Sequence, residues 1–139
     1  MKDVLLAYGS VFQSHVPPGP HPENPGRLVP LYEAIASDPV LCEVPRLAPL
    51  PLASESTLRS YHSAECVEAL LKLRGASGWF DPDTYYEPAS VTTALTAVGT
   101  TKEPRQTDLS GEGEAWFCAA SSAGAPLPSP NADGLLSFQ

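Results

Sequence analysis

The stretch His21-Pro22-Glu23-Asn24-Pro25-Gly26-Arg27-Leu28 constrains the fold most, because it closes a proline-rich loop and opens a helix. Asn24 suits an N-cap and Pro25 the first helical position, where its missing N–H is no loss. Leu28, Leu31, Tyr32 and Ile35 then recur at i, i+3, i+4 and i+7, giving the helix one apolar face. Pro30 removes a donor early in that helix and crowds the turn before it, so a distorted first turn is expected. Upstream, Val4 to Tyr8 is apolar, too short for a helix and bounded by Gly9-Ser10, which reads as a buried strand. Residues 9–25 hold five prolines and two glycines and read as loop. Strand, loop and helix in that order open an α/β domain.

The same reasoning carries the chain to Thr101. Residues 41–51 read as irregular, with room for a short strand near Val44–Leu47. Ser54 is placed to cap a short helix running to about Tyr61. Ser63 is placed to cap a second, with Cys66, Val67, Leu70, Leu71 and Leu73 as its buried stripe and Gly75 and Gly78 ending it. Gly78 to Tyr86, rich in aromatic and acidic residues, reads as a loop. Pro88 then opens a helix in which Val91, Ala94, Leu95 and Val98 share a face. From Lys102 to Gln139 neither period persists, and Ser, Gly, Ala and Pro dominate around an isolated Trp116-Phe117. By pattern this is a disordered tail.

Composition narrows the function. The 139 residues suffice for one domain, and 42% hydrophobic content is a globular proportion. A net charge of -8 with only eight Lys and Arg excludes a basic face for nucleic acid. No run approaches a membrane span, and residues 1–8 do not form a signal peptide. Cys42, Cys66 and Cys118 are odd in number and widely spaced, which reads as reduced thiols in a cytoplasmic protein.

Candidate chemistry is sparse. His15, His21 and His62 lack the short or helical spacing of a metal site, and loop and capping roles fit them better. Asp81 and Asp83 flank Pro82 and could meet a cation or a substrate, although Asp-Pro-Asp is commonly turn chemistry. Arg27 is either a buried cation with a task or a surface arginine whose stem covers apolar area. There is no Gly-x-Ser-x-Gly elbow and no phosphate-cradling glycine loop.

Three blocks nevertheless resemble the N-terminal part of the histone deacetylase superfamily, in particular the bacterial deacetylase and acetoin-utilisation type. His21 to Leu28 is similar to the family's HPERPERL. Leu58, His62, Val67 and Leu70 match L-x-x-x-H-x-x-x-Y-V-x-x-L, with Cys66 in the tyrosine place. Asp81-Pro82-Asp83-Thr84-Tyr85, Pro88-Ala89-Ser90, and then Ala94, Ala97 and Gly99 form the third. Gly26, Pro30 and Cys66 depart from the pattern. The resemblance implies the N-terminal part of an arginase/deacetylase-like parallel-sheet fold over residues 1–101. It also implies a zinc ion at the carboxyl ends of the strands, and hydrolysis of an acetyl amide with a histidine pair as acid and base. By the same resemblance Arg27 lines an internal channel, and Asp81, Asp83 and Tyr85 belong to the rim of the substrate tunnel. No residue here takes the catalytic or metal-ligating positions. The intact family's substrates would be an acetylated lysine, a polyamine or a small amide.

In that family the third block is followed by RPPGHH and then MGFCLFNN, and neither occurs here. The tail is compatible with both in another reading frame. Ser121-Ser122-Ala123-Gly124-Ala125-Pro126, written TCG TCC GCC GGG GCA CCA C, becomes CGT CCG CCG GGG CAC CAC, or RPPGHH, when its first base is skipped. Asp133 to Gln139, written GAT GGG CTT CTG TCT TTT CAA, becomes ATG GGC TTC TGT CTT TTC AA, or MGFCLF and the start of N. Leu127–Ala132, six residues, separate the two as they do in the family. One base gained, or two lost, between the codons for Gly99 and Gly111 accounts for this. A native low-complexity tail is the alternative.

The expectation is therefore an incomplete α/β domain at 1–101 with an unstructured, out-of-frame segment at 102–139. Such a fragment of a zinc-dependent hydrolase would be inactive, without tight zinc, and prone to aggregation or degradation through unpaired strand edges. A non-catalytic binding module and an unrelated small α/β domain stay open as alternatives.

Overall fold

The computed structural model describes residues 4–82, 84–108, 115–120, 129–130 and 136–137. Strand β1 (Val4–Ala7) lies at the centre. It pairs in parallel with β4 (Ala115–Cys118), Val4 opposite Ala115 and Ala7 opposite Cys118. Its other edge takes a single parallel bridge between Leu6 and Arg46. There Leu6 N donates to Pro45 O at 2.8 Å and Leu47 N to Leu6 O at 2.8 Å. The short strand expected near Val44–Leu47 is thus present as one bridge.

Alternation along β1 sends Val4, Leu6 and Tyr8 to one face. There they pack with Leu31, Ile35, Leu41 and Val44 beneath helix α1 (Val29–Ser37). The residues before α1, Pro25–Leu28, form a 3-10 turn that Asn24 caps by accepting from Gly26 N at 3.0 Å. The distortion expected from Pro30 is this tightened turn. Asp38 ends α1, and its carboxylate accepts from Val40 N and Leu41 N at 2.8 and 2.9 Å. Those two N–H groups hold its pKa below the usual value.

A second core cluster joins three helices: α2 (Glu55–Arg59), α3 (Ala64–Lys72) and α4 (Ser90–Asp108). Leu58, Val67, Leu70, Val91 and Leu95 are its buried members. Ser54 accepts from Thr57 N at 3.2 Å and Ser63 from Cys66 N at 3.3 Å, so both expected caps form. Gly75 ends the α3 region in the left-handed conformation, with φ 76°. Gly99, buried within α4, meets the backbone of Pro51, Leu52 and Ala53, and Ala53 N donates to Leu95 O at 2.9 Å. Only a residue without Cβ lets α4 come that close.

Three expectations need correction. Gly78 to Tyr86 is not a loop but a hairpin: β2 (Gly78–Asp81) runs antiparallel to β3 (Thr84–Tyr86), with a register irregularity between Trp79 and Asp81. Its Trp, Phe, Thr and Tyr residues favour the pleated strand, and Asp81-Pro82 supplies the turn. Gly78 opens β2 rather than ending α3, because the Tyr86 ring lies over it: a Cβ there would stand 2.5 Å from Tyr86 Oη. Finally, the segment after Thr101 is not wholly unstructured. Helix α4 runs on to Asp108 and β4 joins the sheet, because a short parallel strand needs only an apolar run beside a free edge. A two-residue ladder joins β5 (Ser129–Pro130) and β6 (Leu136–Ser137). Residues 109–114, 121–128, 131–135 and 138–139 lie outside those described.

Candidate functional site

Hairpin β2–β3, which holds Asp81 and Tyr85, leads directly into the N-terminus of α4. Glu87, Pro88 and Ser90 build that N-terminus. Ser90 Oγ accepts from Glu87 N at 2.8 Å, a capping box read backwards onto the start of the helix. The Ser90 hydroxyl lies 2.6 Å from Nδ1 of His15, which is only 7% exposed. Ser90 Oγ, which accepts from Glu87 N, thus also shares a hydrogen bond with the His15 ring and ties the two loops together. Burial pushes the His15 pKa down, with Glu87 opposing and His21 adding to the fall. The Glu87 carboxylate accepts from Val16 N and so holds the loop to the helix start.

Tyr85 sits between His15 and Trp79, with ring centroids 6.4 and 5.1 Å away. Asp81 accepts from Thr84 Oγ1 at 2.8 Å across the hairpin turn. Asp81 and Tyr85 thus share one hairpin, and Tyr85 reaches His15. Asp83 lies outside the described residues. Arg27 is placed elsewhere: its guanidinium is 2.6 Å from the Glu23 carboxylate, and both side chains are about half exposed. Such a pair contributes about 0–1 kcal/mol. His21 Nδ1 accepts from Glu23 N at 3.1 Å, and Asn24 Nδ2 donates to His21 O at 2.8 Å, so the HPEN stretch ties itself into a capped loop. His62 is exposed.

Sequence reasoning missed the His15–Ser90–Glu87 contact. Its members lie more than seventy residues apart, and no local spacing links them.

Among the described residues no group of three or more His, Cys, Asp or Glu is arranged to hold a metal ion. A zinc centre therefore does not fit the side chains described. No helix among them is long and apolar enough to cross a membrane.

At the carboxyl end of β1, the Tyr32 hydroxyl donates to Ala119 O at 2.9 Å and accepts from Gly9 N at 3.5 Å. It thereby joins the ends of β1 and β4. Burial raises the pKa of Tyr32, and likewise that of the Cys118 thiol at the end of β4. Beside them Arg46 lies over the Tyr8 ring, Cζ 3.9 Å from the centroid, with Nη2 donating to Tyr8 O at 3.3 Å.

The chain is thus an α/β arrangement built on a central parallel strand. Among solved structures, the chain is similar to the HDA15 HD domain, with a TM-score of 0.75 and 20% sequence identity. The match covers 86% of this chain and 35% of that one, so the chain spans about a third of the domain it resembles. At that identity the likeness establishes the fold. No protein-family model matches the chain, and no curated protein matches it.

Proposed function

We propose that the chain is the N-terminal part of a zinc-dependent deacetylase of the bacterial deacetylase and acetoin-utilisation type, and that the 139-residue product does not itself catalyse the reaction. The intact relative would be a cytoplasmic hydrolase that removes acetyl from an acetylated lysine, a polyamine or a small amide. The fold likeness over 86% of the chain carries this reading, and the three motif blocks in family order support it. Asp81, Asp83 and Tyr85 would contribute to the tunnel rim and Arg27 to the internal channel once the remaining two-thirds of the domain is in place. On this reading RPPGHH and the start of MGFCLFNN lie one base out of register in the gene, so the histidine pair is not translated. Pro104, standing inside α4, is the kind of residue that an out-of-frame helix acquires by chance.

The test is to sequence the gene from the codon for Pro88 to well past the stop. One base between the codons for Gly99 and Gly111 is then deleted, and both products are expressed. Acetate release is measured on an acetyl-lysine peptide and an acetylated polyamine, with and without a zinc chelator. The restored-frame protein should release acetate in a chelator-sensitive way, and the 139-residue chain should release none. Metal-dependent release by the 139-residue chain, or a restored frame without the two motifs, would refute the proposal.

A further inference from the structure

The three parallel segments stand in the order 45–47, β1, β4, so the chain leaves β1 to one side through α1 and returns to its other side through α4. That reversal is a topological switch point, and open parallel sheets bind ligands in the crevice outside the carboxyl ends of the strands at such points. A cleft of about 390 Å³ lies there, walled by Tyr8, Gly9, Val11, Arg46, Leu50 and Leu52. Its volume falls in the range that small-molecule sites occupy, and its lining is polar and apolar in nearly equal parts.

The polar group is Arg46. Its guanidinium is stacked on Tyr8 and tethered through one N–H, which leaves most of its donor fork available. Arg27 and Arg59 spend their charge on Glu23, Glu55 and Glu68, whereas Arg46 makes no ion pair among the described residues. Across the cleft Leu52 is 58% exposed, an apolar surface next to an uncompensated cation. Leu50 packs closely over Gly9: a Cβ there would stand 3.0 Å from Leu50 Cδ1.

We propose that this cleft binds a small organic monocarboxylate, with its carboxylate on the Arg46 guanidinium and its apolar body against Leu50, Leu52 and Val11. A planar guanidinium matches a carboxylate in two parallel hydrogen bonds, and stacking on Tyr8 holds that fork in place before the ligand arrives. Acetate alone would leave the leucines uncovered, and a neutral analogue would leave the cation unmatched. The site stands apart from the Asp81–Tyr85 rim and does not depend on deacetylase chemistry.

The test is a titration of the full chain with sodium benzoate at constant ionic strength, followed by backbone amide chemical shifts. Acetate (the head without the body) and benzyl alcohol (the body without the head) serve as controls. Benzoate should give saturable shifts at Gly9, Ser10, Val11 and Leu47, and each control should bind about tenfold more weakly. Arg46→Gln should weaken benzoate about tenfold, and Arg46→Lys, which keeps the charge and loses the fork, by less. Arg46 is exposed, and unchanged far-ultraviolet circular dichroism would show that the variants fold. Leu52→Asp, a second exposed position, should abolish binding by placing a like charge at the mouth. Shifts that do not saturate, that persist in Arg46→Gln, or that benzyl alcohol reproduces at equal strength would overturn the proposal.

Discussion

Gly99→Ala should destabilise the chain, against the ordinary expectation for a glycine inside a helix. In an open helix the change stabilises by about 0.5–1 kcal/mol, because alanine restricts the unfolded chain and favours the helix. At Gly99 an added Cβ would stand 2.6 Å from both Ala53 N and the Leu52 carbonyl carbon, and closer still to the Pro51 carbonyl oxygen. All three are backbone atoms, so no side chain can swing away. The 51–53 segment must retreat by most of an ångström, and it is held by the Ala53 N to Leu95 O bond and by the Ser54 cap just after it. Overpacking of this kind costs about 1–3 kcal/mol. It outweighs the propensity gain, for a net loss of about 1–2 kcal/mol and a fall in Tm of roughly 4–15 °C for a domain of this size. Thermal unfolding followed by circular dichroism measures the shift, and amide exchange at Ala53 locates it. A rise in Tm with unchanged protection at Ala53 would refute the close approach of α4 to this segment.

Other expectations follow from single contacts. Ser63→Ala should cost about 1 kcal/mol in chemical denaturation and Ser63→Gly a few tenths, since the cap on Cys66 N is lost in the first and glycine tolerates the position. Lowered by burial, the folded His15 pKa lies below its unfolded value near 6.5. The unfolded chain therefore binds the proton first, and stability is full above that value and falls as pH drops from it toward the folded pKa. His15→Asn, which can still meet Ser90, should flatten that part of the pH–stability profile. Glu23→Gln should change stability by less than about 1 kcal/mol, because its pair with Arg27 is half exposed. In sedimentation velocity the chain should self-associate as concentration rises, because β4 pairs only with β1 among the described residues and Phe117 is 50% exposed.

Local signals carried most of the architecture. The two serine caps, the α1 and α3 stripes and the β1 run were legible because each is set by residues a few positions apart. The hairpin at Gly78–Tyr86 was not, since its aromatic alternation is interrupted by a register shift, and Asp-Pro-Asp reads as loop chemistry by itself. Strand β4 carries the same kind of short apolar run as β1, but the Gly, Ser and Pro around it concealed it. In the candidate site, Asp81 and Tyr85 do share an element. The resemblance supplied a channel role for Arg27, whose guanidinium pairs with Glu23 in this chain. The Arg46 stack and the His15–Ser90 contact join residues that only the tertiary fold brings together, which no spacing rule anticipates.

The pairing of β1 with β4 also sets an order of events during synthesis. Val4 is made about 110 residues before its partner Ala115, which at 5–20 residues per second is a delay of roughly 5–20 s. Until then the strand that the sheet is built around can use only the edge facing Arg46, and its other edge offers unpaired N–H and C=O groups to whatever is near. Non-local pairing of this kind is slow even in an isolated chain. The strand at the centre of the sheet thus waits for its second partner, and the nascent chain depends on that interval passing without a wrong one.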